Sequence, residues 1–97
     1  MKLFRWSSEK NAALKKSRGV SFESITVAVE SGGLLDILSH PNKARYLHQR
    51  VLVVVLSNYV YLVPFVEEKD HYFLKTIIPS RKATRDYLSQ GDPDAED

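Results

Sequence analysis

Three cationic side chains, Arg81, Lys82 and Arg85, follow a Pro-Ser pair that ends an apolar stretch. This pattern predicts a helix that begins at Ser80 and carries Arg81 and Lys82 in its first turn. Cations there oppose the helix dipole, which typically costs ~0.3–1 kcal/mol for each. The unbonded amides of the first turn and the three cations would together suit a phosphate group. A solvated basic helix is the alternative that needs no ligand.

Lys75 and Tyr87 lie on either side of these cations in the sequence. Tyr87 could stack on a base or donate a proton, or else pack with Leu88 against a sheet. Lys75 lies in an apolar strand, so it either faces an open side of the sheet or guards an edge, and we favour the open side. Strand alternation places the side chains of His71, Phe73 and Ile77 on the same face of the sheet as Lys75.

Two histidines, His40 and His48, bracket a segment that holds Lys43, Arg45 and Tyr46. Imidazole titrates near neutral pH, so these two side chains are candidate proton carriers, His48 before His40. Lys43 and Arg45 would bind phosphate and Tyr46 would stack on a base, which makes the segment a candidate nucleic-acid contact. A solvated loop is the alternative.

The charge of the chain is unevenly distributed. The 97 residues have a net charge of +2, but residues 91–97 hold four acids and no bases, so residues 1–90 hold 14 bases against 8 acids, or +6. A small basic domain attracts polyanions such as RNA. We expect one domain over residues 1–90 and a disordered acidic tail over residues 91–97.

The composition narrows the classes of protein and site. Cysteine is absent, which excludes a disulfide framework and a thiolate metal site. The longest apolar run, residues 51–56, has the length of a strand, and the N-terminus lacks a secretion signal, so we expect a cytoplasmic protein with no membrane contact. Outside the tail, the acids that cluster most closely with one another in the sequence are Glu67, Glu68 and Asp70. They lie in a predicted turn, where acidic side chains usually serve solubility. We therefore expect no metal site and no cofactor.

Apolar periodicity and turn signals predict an α+β fold of the order β-α-α-β-loop-β-β-β-α. Helices are expected over residues 10–17, 21–30 and 80–89, and strands over residues 3–6, 34–38, 51–56, 59–66 and 71–78. Ser7 and Ser21 can cap the first two helices, Gly19 ends the first of them, and Ser57-Asn58 suits a tight turn between two strands. Three consecutive strands joined by short polar turns favour an antiparallel sheet of four to five strands. Two N-terminal helices and one C-terminal helix accompany this sheet.

Several segments resemble the BrnT family of bacterial type II toxins over about residues 3–88. These segments are Glu9-Lys10-Asn11, Leu14-Lys15-Lys16, Arg18-Gly19-Val20-Ser21-Phe22-Glu23 and Ser80-Arg81-Lys82-Ala83-Thr84-Arg85. The resemblance implies a RelE-like fold and an endoribonuclease that cleaves RNA, free or ribosome-bound, and so inhibits translation. It also implies a cognate antitoxin, a small DNA-binding protein of the ribbon-helix-helix type, as the inhibitor.

The chain departs from the family pattern in two places. Ser7 stands where an acid is usual, and Lys16-Ser17-Arg18-Gly19 stands where Lys-His-Gly is usual, so a histidine suited to catalysis is missing. Metal-independent cleavage would use the ribose 2′-hydroxyl as nucleophile, with a base, an acid and cations from the protein. The catalytic candidates are Arg81, Arg85, Lys75, His48, His40 and Tyr87, and the substrate-binding candidates are Lys82, Arg45, Tyr46 and Lys43. A non-catalytic domain that binds RNA, DNA or the antitoxin is the alternative function.

Overall fold

The computed structural model of the protein describes residues 2–39, 42, 45 and 49–89. Over these ranges the chain forms β1 (Leu3–Arg5), α1 (Ser8–Arg18), α2 (Phe22–Ala28), β2 (Leu34–Ser39), β3 (Gln49–Leu56), β4 (Tyr59–Glu67), β5 (His71–Leu74), β6 (Ile78–Pro79) and α3 (Arg81–Leu88). A π-helical turn, Val29–Gly33, links α2 to β2. Within the described ranges, no helix has the length and apolar character needed to cross a membrane. The predicted acidic tail, residues 91–97, lies outside them.

The described strands form one mixed sheet of six strands rather than the four to five expected, with the order β1-β5-β4-β3-β2 and with β6 paired to β4. Strands β2, β3, β4 and β5 pair antiparallel with one another, and with the three helices they confirm the predicted α+β class. The expectation of a wholly antiparallel sheet is wrong at β1, which pairs in parallel with β5. Short turns dictate antiparallel pairing only between consecutive strands, and two helices separate β1 from the next strand. The local sequence therefore does not determine the direction of β1.

Side-chain caps set the starts of the first two helices. The Oγ of Ser7 accepts a hydrogen bond from the N–H of Lys10 at 3.2 Å, and the Oγ of Ser21 accepts one from the N–H of Ser24 at 3.1 Å. Gly19 ends α1 with a φ of 70°, a left-handed conformation that glycine adopts without strain. These contacts confirm the start and stop signals in the sequence.

A buried asparagine joins α1 to α2. The Oδ1 of Asn11 accepts a hydrogen bond from the N–H of Phe22 at 2.8 Å, and its Nδ2 donates to the carboxylate of Glu23 at 2.7 Å. The hydrogen bond from Asn11 is the main reason that the pKa of Glu23 lies below its usual value. Asn11 and Glu23 belong to the segments that resemble the toxin family, and here their contacts fix the angle between two helices.

The sheet has helices on both faces. On one face α1 and α2 enclose the main core, whose buried members are Leu14, Val20, Phe22, Ile25, Ala28, Leu52, Val54, Val63, Phe65, Leu74 and Ile77. On the other face, which we call the α3 face, a smaller cluster contains Val53, Val60 and Ala83, with Val55, Leu62 and Tyr87 packed against it. Successive residues of β3 alternate between the two clusters, so β3 is covered on both sides, as its continuous apolar run predicts.

The predicted last strand, residues 71–78, is divided into β5 and β6. Leu74 of β5 pairs with Phe65 of β4, and Ile78 of β6 pairs with Leu62 of β4. Three residues between Leu74 and Ile78 therefore lie opposite two residues of β4, and this one-residue bulge shifts the alternation of side chains between the two faces of the sheet. Ile77 is consequently buried in the main core, and the prediction that it shares a face with Lys75 is wrong. The carbonyl of Pro64 accepts the N–H of Lys75 at 2.8 Å, so the proline lies beside the bulge, as its missing N–H suggests.

Candidate nucleic-acid interface

Three residues of the segment 80–85 attach α3 to the sheet. The Oγ of Ser80 accepts a hydrogen bond from the N–H of Ala83 at 3.0 Å and caps the helix. The Oγ1 of Thr84 accepts the N–H of Val60 at 2.8 Å and donates to the carbonyl of Ser80 at 2.7 Å. Ala83 is buried against β3 and β4. Ser80, Ala83 and Thr84 therefore have structural roles.

The other three residues of this segment, Arg81, Lys82 and Arg85, are exposed cations. The Nζ of Lys82 lies 3.3 Å from a carboxylate oxygen of Asp86, and the Nε of Arg85 lies 3.5 Å from the other. Exposed ion pairs of this kind contribute ~0–1 kcal/mol. Arg81 makes no ion pair with any other described residue. None of these cations is held by an internal carboxylate, so each can bind an external anion.

A groove of 260 Å³ lies between α3 and the sheet. Its lining residues are Leu38, Leu62, Ser80, Lys82, Ala83, Asp86 and Tyr87. Arg81 and Arg85 do not line it, because each lies about 200° around the helix axis from Ala83, which faces the sheet. Of the three predicted phosphate-binding cations, Lys82 adjoins the groove, whereas Arg81 and Arg85 share the outer face of α3.

Tyr87 contacts both the sheet and a carboxylate. Its hydroxyl donates a hydrogen bond to the Oδ2 of Asp36 at 3.0 Å, and its ring packs on the apolar cluster of the α3 face. The hydrogen bond to Asp36 is the main reason that the pKa of Tyr87 lies above its usual value. The phenol therefore stays protonated at neutral pH, with its proton directed at Asp36. No pattern in the sequence indicates this contact, since Asp36 is an isolated acid in a short apolar strand.

Lys75 is exposed beside β5, and its Nζ lies 5.7 Å from the ring centroid of Phe73. Phe73 pairs with Val66, which lies on the α3 face by the alternation of β4. Arg5 of β1 lies beside Phe73 in the parallel register and is also exposed. Lys75 thus has the open position predicted for it, and Arg5 is a second exposed cation on the same face.

The predicted histidine segment is described only in part. Four of its candidate residues lie outside the described residues: His40, Lys43, Tyr46 and His48. Arg45 is exposed, and its N–H donates to the Oδ1 of Asn42 at 3.3 Å. The proposed proton carriers His48 and His40 therefore stay predictions.

Elsewhere in the described ranges, other cations have structural partners. Glu67 accepts from the Nζ of Lys2 at 2.9 Å and from the guanidinium of Arg50 at 2.6 Å. The hydrogen bond from Lys2 is the largest cause of the lowered pKa of Glu67. His71 lies 2.8 Å from Asp70 at the β4–β5 turn, and this contact, with a smaller effect of Arg5, lowers the pKa of Asp70.

The described parts of the chain contain no group of three or more His, Asp or Glu side chains placed to hold a metal ion. The α3 face offers Lys82 at the groove and Lys75 and Arg5 on the sheet, beside the rings of Tyr87 and Phe73. Arg81 and Arg85 add two exposed cations on the outer face of α3. That arrangement suits an extended polyanion.

No protein-family model, no curated protein and no solved structure matches the chain.

Proposed function

We propose that this protein is a toxin of the BrnT type with a RelE-like fold, a metal-independent endoribonuclease that inhibits translation until a cognate antitoxin neutralises it. The observation that carries the proposal is the contrast between two sets of residues within the segment 80–85. Ser80, Ala83 and Thr84 hold α3 on the sheet, whereas Arg81, Lys82 and Arg85 are exposed and have no structural partner among the described residues apart from the exposed Asp86.

The position of these cations favours a ligand over a stabilising role. The first turn of α3 has no acid, and Arg81 and Lys82 lie where the helix dipole disfavours positive charge, at ~0.3–1 kcal/mol each. A helix selected for stability alone would place its cations in the last turn. Side chains that oppose stability without packing contacts are typical of binding and catalytic sites.

In the proposed reaction, the ribose 2′-hydroxyl attacks the adjacent phosphorus, and the 5′-oxygen of the next nucleotide leaves. Lys82 at the groove and Lys75 on the sheet would stabilise the charge that develops on the phosphate, and Arg81 and Arg85 would bind the strand where it passes the outer face of α3. Tyr87 could protonate the leaving oxygen only after releasing Asp36, its present acceptor. His48 or His40 would accept the proton of the 2′-hydroxyl.

A second candidate function is a non-catalytic domain that binds RNA or DNA, or the antitoxin alone. Two contacts of candidate proton donors and acceptors favour it. The phenol of Tyr87 is occupied by Asp36, and the imidazole that the described residues do include, His71, contacts Asp70 at a turn. This candidate predicts salt-sensitive binding of nucleic acid without strand scission.

The experiment is an RNA cleavage assay with the purified full-length protein, without antitoxin and with EDTA present. We expect cleavage by the wild type and loss of cleavage in the double variant Arg81→Ala, Arg85→Ala. The matched control is Lys10→Ala, Lys16→Ala, which removes two exposed cations from α1 and should cleave normally. Adding ribosomes and messenger RNA to a second set of reactions tests whether the ribosome is required.

Binding without cleavage, in both free and ribosome-bound RNA, would establish the non-catalytic candidate in place of the toxin. Equal losses in the α3 and α1 double variants would show that net charge alone is responsible. Thermal unfolding of all three proteins serves as the check on folding, because substitutions at exposed positions usually change stability by less than about 0.5 kcal/mol.

A further inference from the structure

Phe73 presents an aromatic ring on the α3 face with an exposed cation on either side. The Nζ of Lys75 lies 5.7 Å from the ring centroid, and Arg5 is the register partner of Phe73 in β1. Neither cation forms an ion pair with any described residue. The ring itself is half-buried, so one part of it is open to a ligand.

Two other cation–aromatic contacts of the described chain provide a comparison. Lys2 lies 5.8 Å from the ring of Tyr72, and Arg50 lies 5.2 Å from the ring of Phe65. Both of these cations are bound by the carboxylate of Glu67. These two contacts therefore form a closed structural cluster, whereas no carboxylate of the described residues is bonded to the cations beside Phe73.

We propose that Phe73 stacks an unpaired base of single-stranded RNA while Lys75 and Arg5 bind the phosphates on either side of that base. We call these three residues the stacking platform. This inference rests on the proposed function, because it takes RNA as the ligand of the α3 face, and it deepens that function by specifying a single strand. A flat ring between two cations matches a base between two phosphates. Bases in a duplex are stacked on both sides and cannot reach a ring in a sheet, whereas unpaired bases can.

The dimensions of the sheet connect the stacking platform with α3. Val66, the partner of Phe73, lies four residues beyond Leu62, which lines the groove beside α3. With roughly 3.4 Å per residue along a strand and 4.8 Å between strands, the ring lies about 14 Å from the groove. Lys75 lies between them, since its N–H binds the carbonyl of Pro64. A strand held by Lys82 in the groove can therefore continue past Lys75 to Phe73.

The test is a binding titration of the full-length protein with a fluorescent single-stranded RNA whose 2′-hydroxyls are methylated, so that no cleavage occurs. Phe73→Leu removes the aromatic face and should weaken binding roughly 5- to 150-fold. Its dependence on salt should not change, because every cation that binds a phosphate is still present. Phe73→Trp should bind like the wild type. Tyr59→Leu, an aromatic substitution outside the α3 face, is the control and should also bind normally.

Substituting the two cations of the stacking platform, unlike substituting Phe73, should change the dependence of binding on salt. Arg5→Gln with Lys75→Gln should reduce the magnitude of the negative slope of log K against log salt by roughly 0.7 for each phosphate that is no longer neutralised. A wild-type titration with a strand of abasic sites measures the stacking directly and needs no variant. It should show the same reduction in affinity as Phe73→Leu does with the normal strand.

Equal affinity of the wild type for abasic and normal strands would overturn the inference, and so would equal affinity for duplex and single strands. If Phe73→Leu bound RNA like the wild type while Arg81→Ala, Arg85→Ala did not, the stacking platform would be refuted and the proposed function would stand. If the wild type bound no RNA at all, both would fall.

Discussion

Replacing Thr84 by valine should destabilise the protein by about 1–3 kcal/mol while leaving the shape of α3 unchanged. Valine fills nearly the same volume, but it lacks the Oγ1 that accepts the N–H of Val60 at 2.8 Å. Val60 is fully buried, so water cannot replace the hydroxyl, and the orphaned donor carries the full desolvation penalty. The carbonyl of Ser80 also loses the hydroxyl of Thr84 as a donor, but it still accepts the backbone N–H of residue 84, at 3.0 Å in the wild type. The unsatisfied amide of Val60 therefore dominates the effect.

For a domain of this size, 1 kcal/mol shifts Tm by roughly 4–8 °C, so the expected fall for Thr84→Val is about 4–24 °C. Scanning calorimetry measures the shift, and amide hydrogen exchange by NMR locates it, because the Val60 amide should lose protection more than its neighbours do. Thr84→Ser keeps a side-chain hydroxyl and is the matched control. The reasoning is refuted if Thr84→Val melts with the wild type, or if Thr84→Ser falls as far as Thr84→Val.

Two further predictions concern contacts outside the α3 face. Asn11→Ala should lower the free energy of unfolding by about 1–3 kcal/mol, because the N–H of Phe22 loses its acceptor. Urea titration measures this change, and an effect no larger than that of Lys10→Ala, at an exposed position, would contradict the prediction. The folded-state pKa of Glu67 lies below its ordinary value of 4.5, so its contribution to stability is present above that value and is lost as pH falls below it. The urea midpoint of the wild type should therefore fall more steeply than that of Glu67→Gln between about pH 6 and pH 3, and parallel curves would show that the contacts with Lys2 and Arg50 do not stabilise the fold.

The features that the sequence predicted well depend on short-range chemistry. Ser7, Ser21 and Ser80 cap the three helices because a hydroxyl needs only the amide three residues ahead. Ser57 and Asn58 make the predicted tight turn with φ values of 53° and 63°, as a two-residue hairpin requires. Each of these signals lies within a few residues of the structure that it specifies.

The features that sequence reasoning missed depend on distant partners. The parallel pairing of β1 and the bulge before β6 arise from how strands meet across the sheet, and a one-residue insertion was enough to move Ile77 to the other face. At the candidate site, the exposure of Arg81, Lys82, Arg85 and Lys75 agrees with the sequence pattern. The hydrogen bond between Tyr87 and Asp36 joins residues 51 positions apart and had no local signal.

The position of β1 has a consequence for synthesis. Its only strand partner in the described sheet is β5, which begins at His71, so Leu3–Arg5 must wait until most of the chain has left the ribosome before it can dock. The Lys2–Glu67 bond spans a similar interval of 65 positions. Closing so long a loop is entropically costly and raises the contact order, which slows folding. During translation, the nascent polypeptide can assemble the β2–β3–β4 meander early, and the edge of the sheet that includes Arg5 is completed last.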